Sequence, residues 1–444
     1  MTQARPIGLG SARREARNWA HFAADVAATR PLIAGPSRVC NLLEDRYRFL
    51  VGLSAAMLNG QATVLPSARA PGAIRLALGT PKDACLLGPS DVPGLAARHV
   101  HTVPDGSGTA DPDALRAAVT GAAGRVEVFT SGSTGAPVCH GKTWASLAGG
   151  AALSDTLYRR AGLSGRFAIL GTTPHQHMFG LEAAVFAALA HGHELYRGPV
   201  FYPDDLASAA GAAAEQGVDQ LVLVTSPAHL RYLEPGLVET PMVRMVLSAT
   251  APMPLPLAER LEESGLPVYE IYGSTETGSL GWRRSIEGAE WRVQPGFTLD
   301  PLPEHCLARA PHLPGPIPLG DLVEVLDEKR FLLLGRLGDM IHVAGKRASL
   351  GALNAVLVEA PGLSDGVVLR TRTGGDDQLS ILAVRDRATT LSEAEIRAGI
   401  RRHMQAHVDP VFIPRRISFV ARLPRSATGK LAAGEIARLA DRLS

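Results

Sequence analysis

The chain has 444 residues, which at the usual domain size of roughly 100–200 residues predicts more than one domain with ample length for a core. Hydrophobic residues make up 46% and charged residues 20%, excluding a disordered or fibrous chain. Against 43 Asp and Glu stand 45 Lys and Arg, a formal net charge of +2. That gives no global field to gather nucleic acid or an anionic membrane, so any anion must be bound by local geometry.

The N-terminal stretch MTQARPIGLGSARREARNW carries arginines but no apolar block of the secretory kind. No later apolar run reaches the roughly 20 residues that cross a bilayer; AAVFAALAHG, for example, is cut by Gly and His. Cys40, Cys85, Cys139 and Cys306 are far apart and form no CxxC pair, which argues against a zinc module and a disulfide framework. A cytoplasmic protein without membrane insertion is expected.

Along the chain, Val126 to Phe129 reads as a strand ending in Thr130-Ser131-Gly132-Ser133-Thr134-Gly135. Phe167 to Gly171 reads as a strand, Leu181 to Ala190 as a helix and Gln220 to Thr225 as a strand, the alternation of βα units and a largely parallel sheet. Asp300 to Pro318 is rich in proline and is expected to be irregular or to form edge strands. After Arg336 the pattern restarts: a helix at Leu350 to Glu359, strands near Val367 to Thr371 and Leu379 to Val384, then a capping box, Ser392 with Glu395, opening a helix from Glu393 to about His407. The predicted fold is α/β: a large N-terminal domain, residues 1–336, of mixed, largely parallel sheets with packed helices, and a small mobile α+β domain, residues 337–444.

The Thr130 to Gly135 loop can aim backbone N–H groups and hydroxyls at a polyphosphate, and glycine lets the backbone approach closely. A surface turn is the alternative for any Gly/Ser-rich loop. Gly135, Gly141, Lys142 and Thr143 mimic the P-loop pattern GxxxxGK[ST], but five residues separate the glycines where that motif needs four. The extra residue would displace the lysine and the Mg²⁺-binding hydroxyl.

Several motifs in fixed order resemble the adenylate-forming superfamily of acyl-CoA synthetases, peptide-synthetase adenylation domains and luciferases. TSGSTG at Thr130 to Gly135 resembles its phosphate loop and YGSTE at Tyr272 to Glu276 its nucleotide and Mg²⁺ motif. Gly320-Asp321 matches the ribose-binding aspartate, Gly335-Arg336 the hinge-side arginine, and PRSATGK at Pro424 to Lys430 the C-terminal catalytic lysine. FLVGLSAAMLNGQATVLP, Phe49 to Pro66, is similar to the apolar helix and following strand of the family's N-terminal subdomain.

The resemblance implies ATP and Mg²⁺ as cofactors, with Glu276 holding the metal through oxygen. It implies that Thr275 donates to the α-phosphate, that Tyr272 and Gly273 lie at the adenine, and that Ala249, within Ser248 to Met253, supplies backbone around the base. Asp321 and Arg336 would share the ribose. Lys430 would reach the α-phosphate and the carboxylate oxygen in the closed state. His177 in TPHQHMFGLE matches the position that gates the carboxylate pocket, ahead of His175; a histidine at a helix N-terminus without a catalytic role is the plainer reading. Val224 to Leu230 is a candidate pocket wall.

Three positions depart from the family. Val138 follows Pro137 where lysine is usual, with Lys142 a candidate substitute for the charge. At the hinge, Gly338 and Asp339 replace the usual Lys or Asp spacing, and Ile341-His342 stands where Ile-Lys is frequent. The expected activity is ATP-dependent activation of a carboxylic acid through acyl-AMP, then transfer to a phosphopantetheine thiol. The short stretch after Lys430 reads as one amphipathic helix, so that thiol is expected from outside the chain, on CoA or a separate acyl carrier protein. The compact length is similar to the AMP-ligases of aryl polyene pathways, implying a hydroxybenzoate- or cinnamate-like acid and a carrier-protein partner. Alternatives are an acyl-CoA or aryl-CoA synthetase, a P-loop NTPase releasing ADP, and a non-catalytic nucleotide-binding relative.

Overall fold

The computed structural model describes residues 6–9, 17–79, 83–89, 91–95, 97–106, 108–130, 137–303, 305–336, 339–343, 346–373, 376–424 and 436. They gather into two compact units, one of Met1–Ala249, Arg260–Arg284 and Ala310–Pro314, the other of Thr250–Glu259, Ser285–Arg309 and Gly315–Ser444.

The first unit holds a six-stranded sheet in the order Arg98–Val100, Ala84–Leu87, Arg38–Asn41, Ala62–Leu65, Arg125–Thr130, Val138–Thr143. Every pairing is parallel except the last, in which Thr130 faces Val138 and Val126 faces Lys142. A second run of strands follows the order Gly278–Arg284, Val268–Ser274, Val243–Ser248, Leu221–Thr225, Ala168–Gly171, Glu194–Tyr196, Pro6–Leu9, Arg17–Asn18. It is parallel from Val268–Ser274 to Pro6–Leu9 and antiparallel at both ends. Continuous apolar strands such as LVLVT, buried on every residue, are what a parallel sheet covered on both faces requires.

One core joins these layers. The helix Arg46–Leu58 is buried along nearly its whole length, with Asp45 capping it by accepting from the Arg48 N–H. Phe49, Leu50 and Leu53 pack in the same cluster as Tyr158, Phe167 and Phe186. The expected helix over Leu181 to Ala190 opens with π-type turns over Leu181–Phe186 before becoming α at Ala187–His191. Such bulges re-aim side chains and are common at functional sites.

In the second unit, Arg330–Arg336 pairs antiparallel with both Glu290–Val293 and Asp321–Val325. The proline-rich stretch contributes three short antiparallel strands, Thr298–Pro301, Cys306–Arg309 and Ile317–Pro318. Their prolines stand at strand ends, where a missing N–H is tolerated. Downstream, the hairpin of Leu363–Thr373 and Asp376–Arg385 takes Arg416–Phe419 as a parallel third strand. The helices Leu350–Val358 and Glu393–His407 complete this region, burying Leu353, Leu357, Ile396, Ile400 and Met404 with Ile341 and Ile381. Ser392 and Glu395 form the expected capping box. Gly335 adopts φ +130°, and a Cβ there would stand 2.1 Å from Ser349 Oγ, so this point admits only glycine.

Among the described residues no helix is long and apolar enough to cross a membrane.

Candidate active site

Parallel strands put their following loops at one end of a sheet, and ligands of open α/β sheets bind there. Four candidate segments stand at the C-terminal ends of neighbouring strands. Thr172 to His177 follows Ala168–Gly171, Ser226 to Leu230 follows Leu221–Thr225, and Ala249 follows Val243–Ser248. Tyr272 to Ser274 ends the next strand, and Thr275 and Glu276 form the turn into Gly278–Arg284.

That acidic turn is braced internally. The Ser274 N–H donates to Thr277 Oγ1 and the Thr277 N–H to Ser274 Oγ, each at 3.1 Å. Thr277 is buried, Thr275 half-buried and Glu276 exposed, so the turn points its carboxylate outward. Burial alone would raise the Glu276 carboxyl, but the Ser274 hydroxyl and the nearby His140 and Lys142 outweigh it and hold the group below the usual carboxylate range. An ionised, accessible carboxylate is the hard oxygen donor Mg²⁺ takes, so this residue fits the expected metal. Tyr272 is buried at the end of the strand and Gly273 is exposed beside it.

The strand carrying Thr130 is joined to the same turn. His140 Nε2 lies 3.1 Å from Thr130 Oγ1 and 3.7 Å from Glu276 Oε1. Lys142, 5% exposed, donates from Nζ to the Glu276 carbonyl oxygen at 2.6 Å. Burial pushes its ammonium below the ordinary lysine range, with Glu182 and Glu276 opposing the shift. The P-loop resemblance fails here for a visible reason: Gly141, Lys142 and Thr143 lie in a strand, and the helix begins only at Trp144. Ser131, Gly132, Ser133, Thr134, Gly135 and Lys430 lie outside the described residues.

The two histidines of TPHQHMFGLE differ in kind. His175 is 4% exposed, its Nε2 sits 2.7 Å from the Leu43 carbonyl oxygen and its ring lies 4.3 Å from that of Phe49. Burial, with Arg46 nearby, pushes its pKa down to about 3, so it is a neutral packing residue. His177 is half-buried and caps a short helix, its Nδ1 accepting from the Phe179 N–H at 3.4 Å. On the neighbouring strand end, Thr172, Thr225, Ser226 and His229 form a hydrogen-bonded cluster. Val224 and Leu230 are fully buried.

In the second unit, Asp321 faces Arg336 across an antiparallel pair, with 3.7 Å between Oδ1 and Nε. The arginine is 67% exposed and the aspartate is half-buried. Thr250 is the one described non-glycine residue in the left-handed region, at φ 78°. Such backbone concentrates at functional sites.

Sequence reasoning missed Glu182. This residue is 1% exposed on the π-turn, and the Ser279 N–H lies 3.3 Å from both its carboxylate oxygens. A Cβ at Gly150 would lie 2.1 Å from one oxygen and a Cβ at Gly278 2.7 Å from the other. Burial pushes its pKa up to about 7, against the pull of Ser279 and Lys142. The only signal in the chain was a glutamate inside the apolar run FGLEAAVF.

Parallel sheets with polar segments gathered at their C-terminal ends, and an acidic turn tied to the strand that leads into a Gly/Ser/Thr loop, define an α/β protein arranged for a phosphorylated ligand. Residues 125–340 match the AMP-binding enzyme family. The chain is 32% identical over 311 residues to a 4-coumarate–CoA ligase of Rhodobacter capsulatus, covering 68% of this chain and 73% of that protein. It is 28% identical over 352 residues to a 2-succinylbenzoate–CoA ligase of Geobacillus kaustophilus, covering 70% and 68%. ATP-bound MatB of Rhodopseudomonas palustris shares the fold with a TM-score of 0.78 at 20% identity, over 98% of this chain and 96% of that one. The protein belongs to the AMP-binding enzyme family, within the adenylate-forming superfamily.

Proposed function

We propose that this chain is a cytoplasmic AMP-forming acid–thiol ligase that converts a carboxylic acid and ATP to acyl-AMP and pyrophosphate, then passes the acyl group to a phosphopantetheine thiol. The observation that carries the reading is the exposed, ionised Glu276 on a braced turn, joined through His140 and Lys142 to the strand entering the phosphate loop.

In the first step a carboxylate oxygen bonds to the α-phosphorus while the bond to the bridging oxygen of pyrophosphate breaks. Both reactants are anions, so the site must screen repulsion and hold the two in line. Ser131 to Gly135 cradle the phosphates, Thr275 donates to the α-phosphate, and Lys430 adds its charge when the small domain closes. Glu276 would hold Mg²⁺, which supplies charge neutralisation on the phosphates when bound. Tyr272, Gly273 and Ala249 border the adenine, while Asp321 and Arg336 take the ribose hydroxyls. His177 gates the acid. Residues 337–444 then rotate about Gly335 to Asp339, and the thiolate attacks the acyl carbon as AMP leaves.

Lys142 stands in for the lysine missing at Val138, but through position. Its ammonium fixes the Glu276 backbone, leaving the carboxylate free to hold the metal. The acid is an aryl acid of the hydroxybenzoate or cinnamate class. The relatives' names, 4-coumarate–CoA and 2-succinylbenzoate–CoA ligase, favour an aromatic acid and free CoA. The resemblance to aryl polyene AMP-ligases favours an acyl carrier protein. Pyrophosphate release from Mg-ATP across aryl, fatty and amino acids, with Lys430→Ala alongside, tests the first step. Release with aryl acids that the variant loses supports the reading; CoA and a carrier protein as second substrates then separate the acceptors. ATP binding without acid-dependent release across the panel would favour a non-catalytic relative.

A further inference from the structure

The strand Arg98–Val100 forms one edge of the six-stranded sheet, parallel to Ala84–Leu87. Alternate residues of an extended chain share a face, so the spacing His99-Val100-His101 brings two imidazoles together, and their ring centroids lie 4.0 Å apart. The connection between the two strands brings Asp91 beside them, with a carboxylate oxygen in direct contact with His99 Nδ1. One ligating atom from each of Asp91, His99 and His101 lies within 4.8 Å of the others.

The second nitrogen of His99 determines what this contact means. Nε2 stands 2.7 Å from the Gly88 carbonyl oxygen, which can only accept, so Nε2 carries a hydrogen. In the neutral ring the lone pair is then on Nδ1, aimed at a carboxylate oxygen that is also an acceptor. In the contact as it stands only a proton fits between them; a metal ion would replace that proton once the exposed Asp91 carboxylate moves back. A proton joins His99 and Asp91 alone and gives His101 no part, whereas a metal ion uses all three donors. A ring nitrogen donating to a backbone carbonyl is also the outer-shell arrangement that fixes the tautomer of metal-ligating histidines.

We propose that Asp91, His99 and His101 form a binding site for a divalent transition cation of the Zn²⁺ class, with water completing a tetrahedral set. Zinc bonds to nitrogen and oxygen of about 2.0–2.2 Å place tetrahedral ligand atoms roughly 3.3–3.5 Å apart. Asp91 is 83% exposed at its side chain and His101 is also exposed, so both can adjust around His99, which is held by Gly88. Two imidazoles and one carboxylate suit a borderline cation better than Mg²⁺ or Ca²⁺, which prefer all-oxygen sets. A bound ion would clamp the connection onto this edge strand.

The test is Zn²⁺ titration of the chelator-stripped full chain against a chromophoric competitor, with His99→Ala, His101→Ala and Asp91→Asn variants and Zn²⁺-dependent thermal unfolding. The expected result is one Zn²⁺ bound by the unaltered chain, at least tenfold weaker binding in each histidine variant, and a Zn²⁺-induced rise in Tm that His101→Ala abolishes. His101→Ala decides the matter, because it leaves the Asp91–His99 ion pair intact. Zn²⁺ binding and Tm response equal in the unaltered chain and His101→Ala would overturn the site and leave a simple ion pair. Acid-dependent pyrophosphate release by His101→Ala is a separate readout, expected unchanged.

Discussion

Glu182 and Glu276 both feel the charge of Lys142, yet the fold treats them oppositely. Glu276 stands on an outward turn, with 44% of its side chain exposed and its carboxyl held ionised by Ser274, His140 and Lys142. Glu182 is enclosed between Gly150 and Gly278, and burial raises it to about 7. One carboxyl stays charged beside solvent; the other is raised until it is about half protonated near neutral pH. The difference follows from access to water, since an enclosed carboxylate loses hydration that the Ser279 N–H and hydroxyl only partly replace.

Removing the exposed charge should have the largest effect. Glu276→Gln should lower acid-dependent pyrophosphate release by on the order of 10²–10³-fold, the scale of losing one major electrostatic group, while the Tm changes little. Next comes the pH response of Glu182. Its folded pKa, about 7, lies above the unfolded value near 4.5, so its contribution to stability is full below about pH 4.5 and is lost as pH rises through 7. At about 1.4 kcal/mol per pH unit the whole span is worth on the order of 3 kcal/mol. Denaturant unfolding of Glu182→Gln should therefore gain on the unaltered chain between pH 5 and pH 8; a pH-independent difference would mean that Glu182 ionises as freely as a surface group.

Steric change should be smaller. Gly150→Ala puts a methyl against the Glu182 carboxyl and should destabilise by about 1–3 kcal/mol, the usual cost of overpacking, read from urea midpoints at constant m. Smallest is Lys142→Met, which keeps the buried stem and removes the bond to the Glu276 carbonyl. About a tenfold fall in rate is expected, the scale of one charge-assisted hydrogen bond, with a higher Mg²⁺ requirement that Lys142→Arg partly restores. An unchanged Mg²⁺ dependence would reduce Lys142 to a packing residue.

Strands and helices were legible wherever one pattern decided them. LVLVT, the Ser392–Glu395 capping box and the apolar run entering Thr130 all formed the elements their periodicity implies. The facing of Asp321 and Arg336 became visible only in the hairpin register, which local sequence does not determine. Glu182 was illegible because its surroundings come from residues 150, 278 and 279, far away in sequence. His175 and His177 look alike in the chain; what separates them is the Leu43 carbonyl and the Phe49 ring, more than a hundred residues upstream. The π-turns at Leu181–Phe186 left no periodic signal, since their composition suits an ordinary helix.

Everything proposed for the site turns on whether this chain makes an acyl adenylate. The most direct measurement is mass-spectrometric detection of acyl-AMP after mixing enzyme, Mg-ATP and an aryl acid such as 4-hydroxybenzoate or 4-coumarate with no thiol present. Enzyme-bound acyl-AMP with stoichiometric pyrophosphate is expected, consumed on adding CoA or a phosphopantetheinylated carrier protein and greatly reduced in Glu276→Gln. ADP and inorganic phosphate as the products, with no acyl-AMP, would contradict the proposed adenylation.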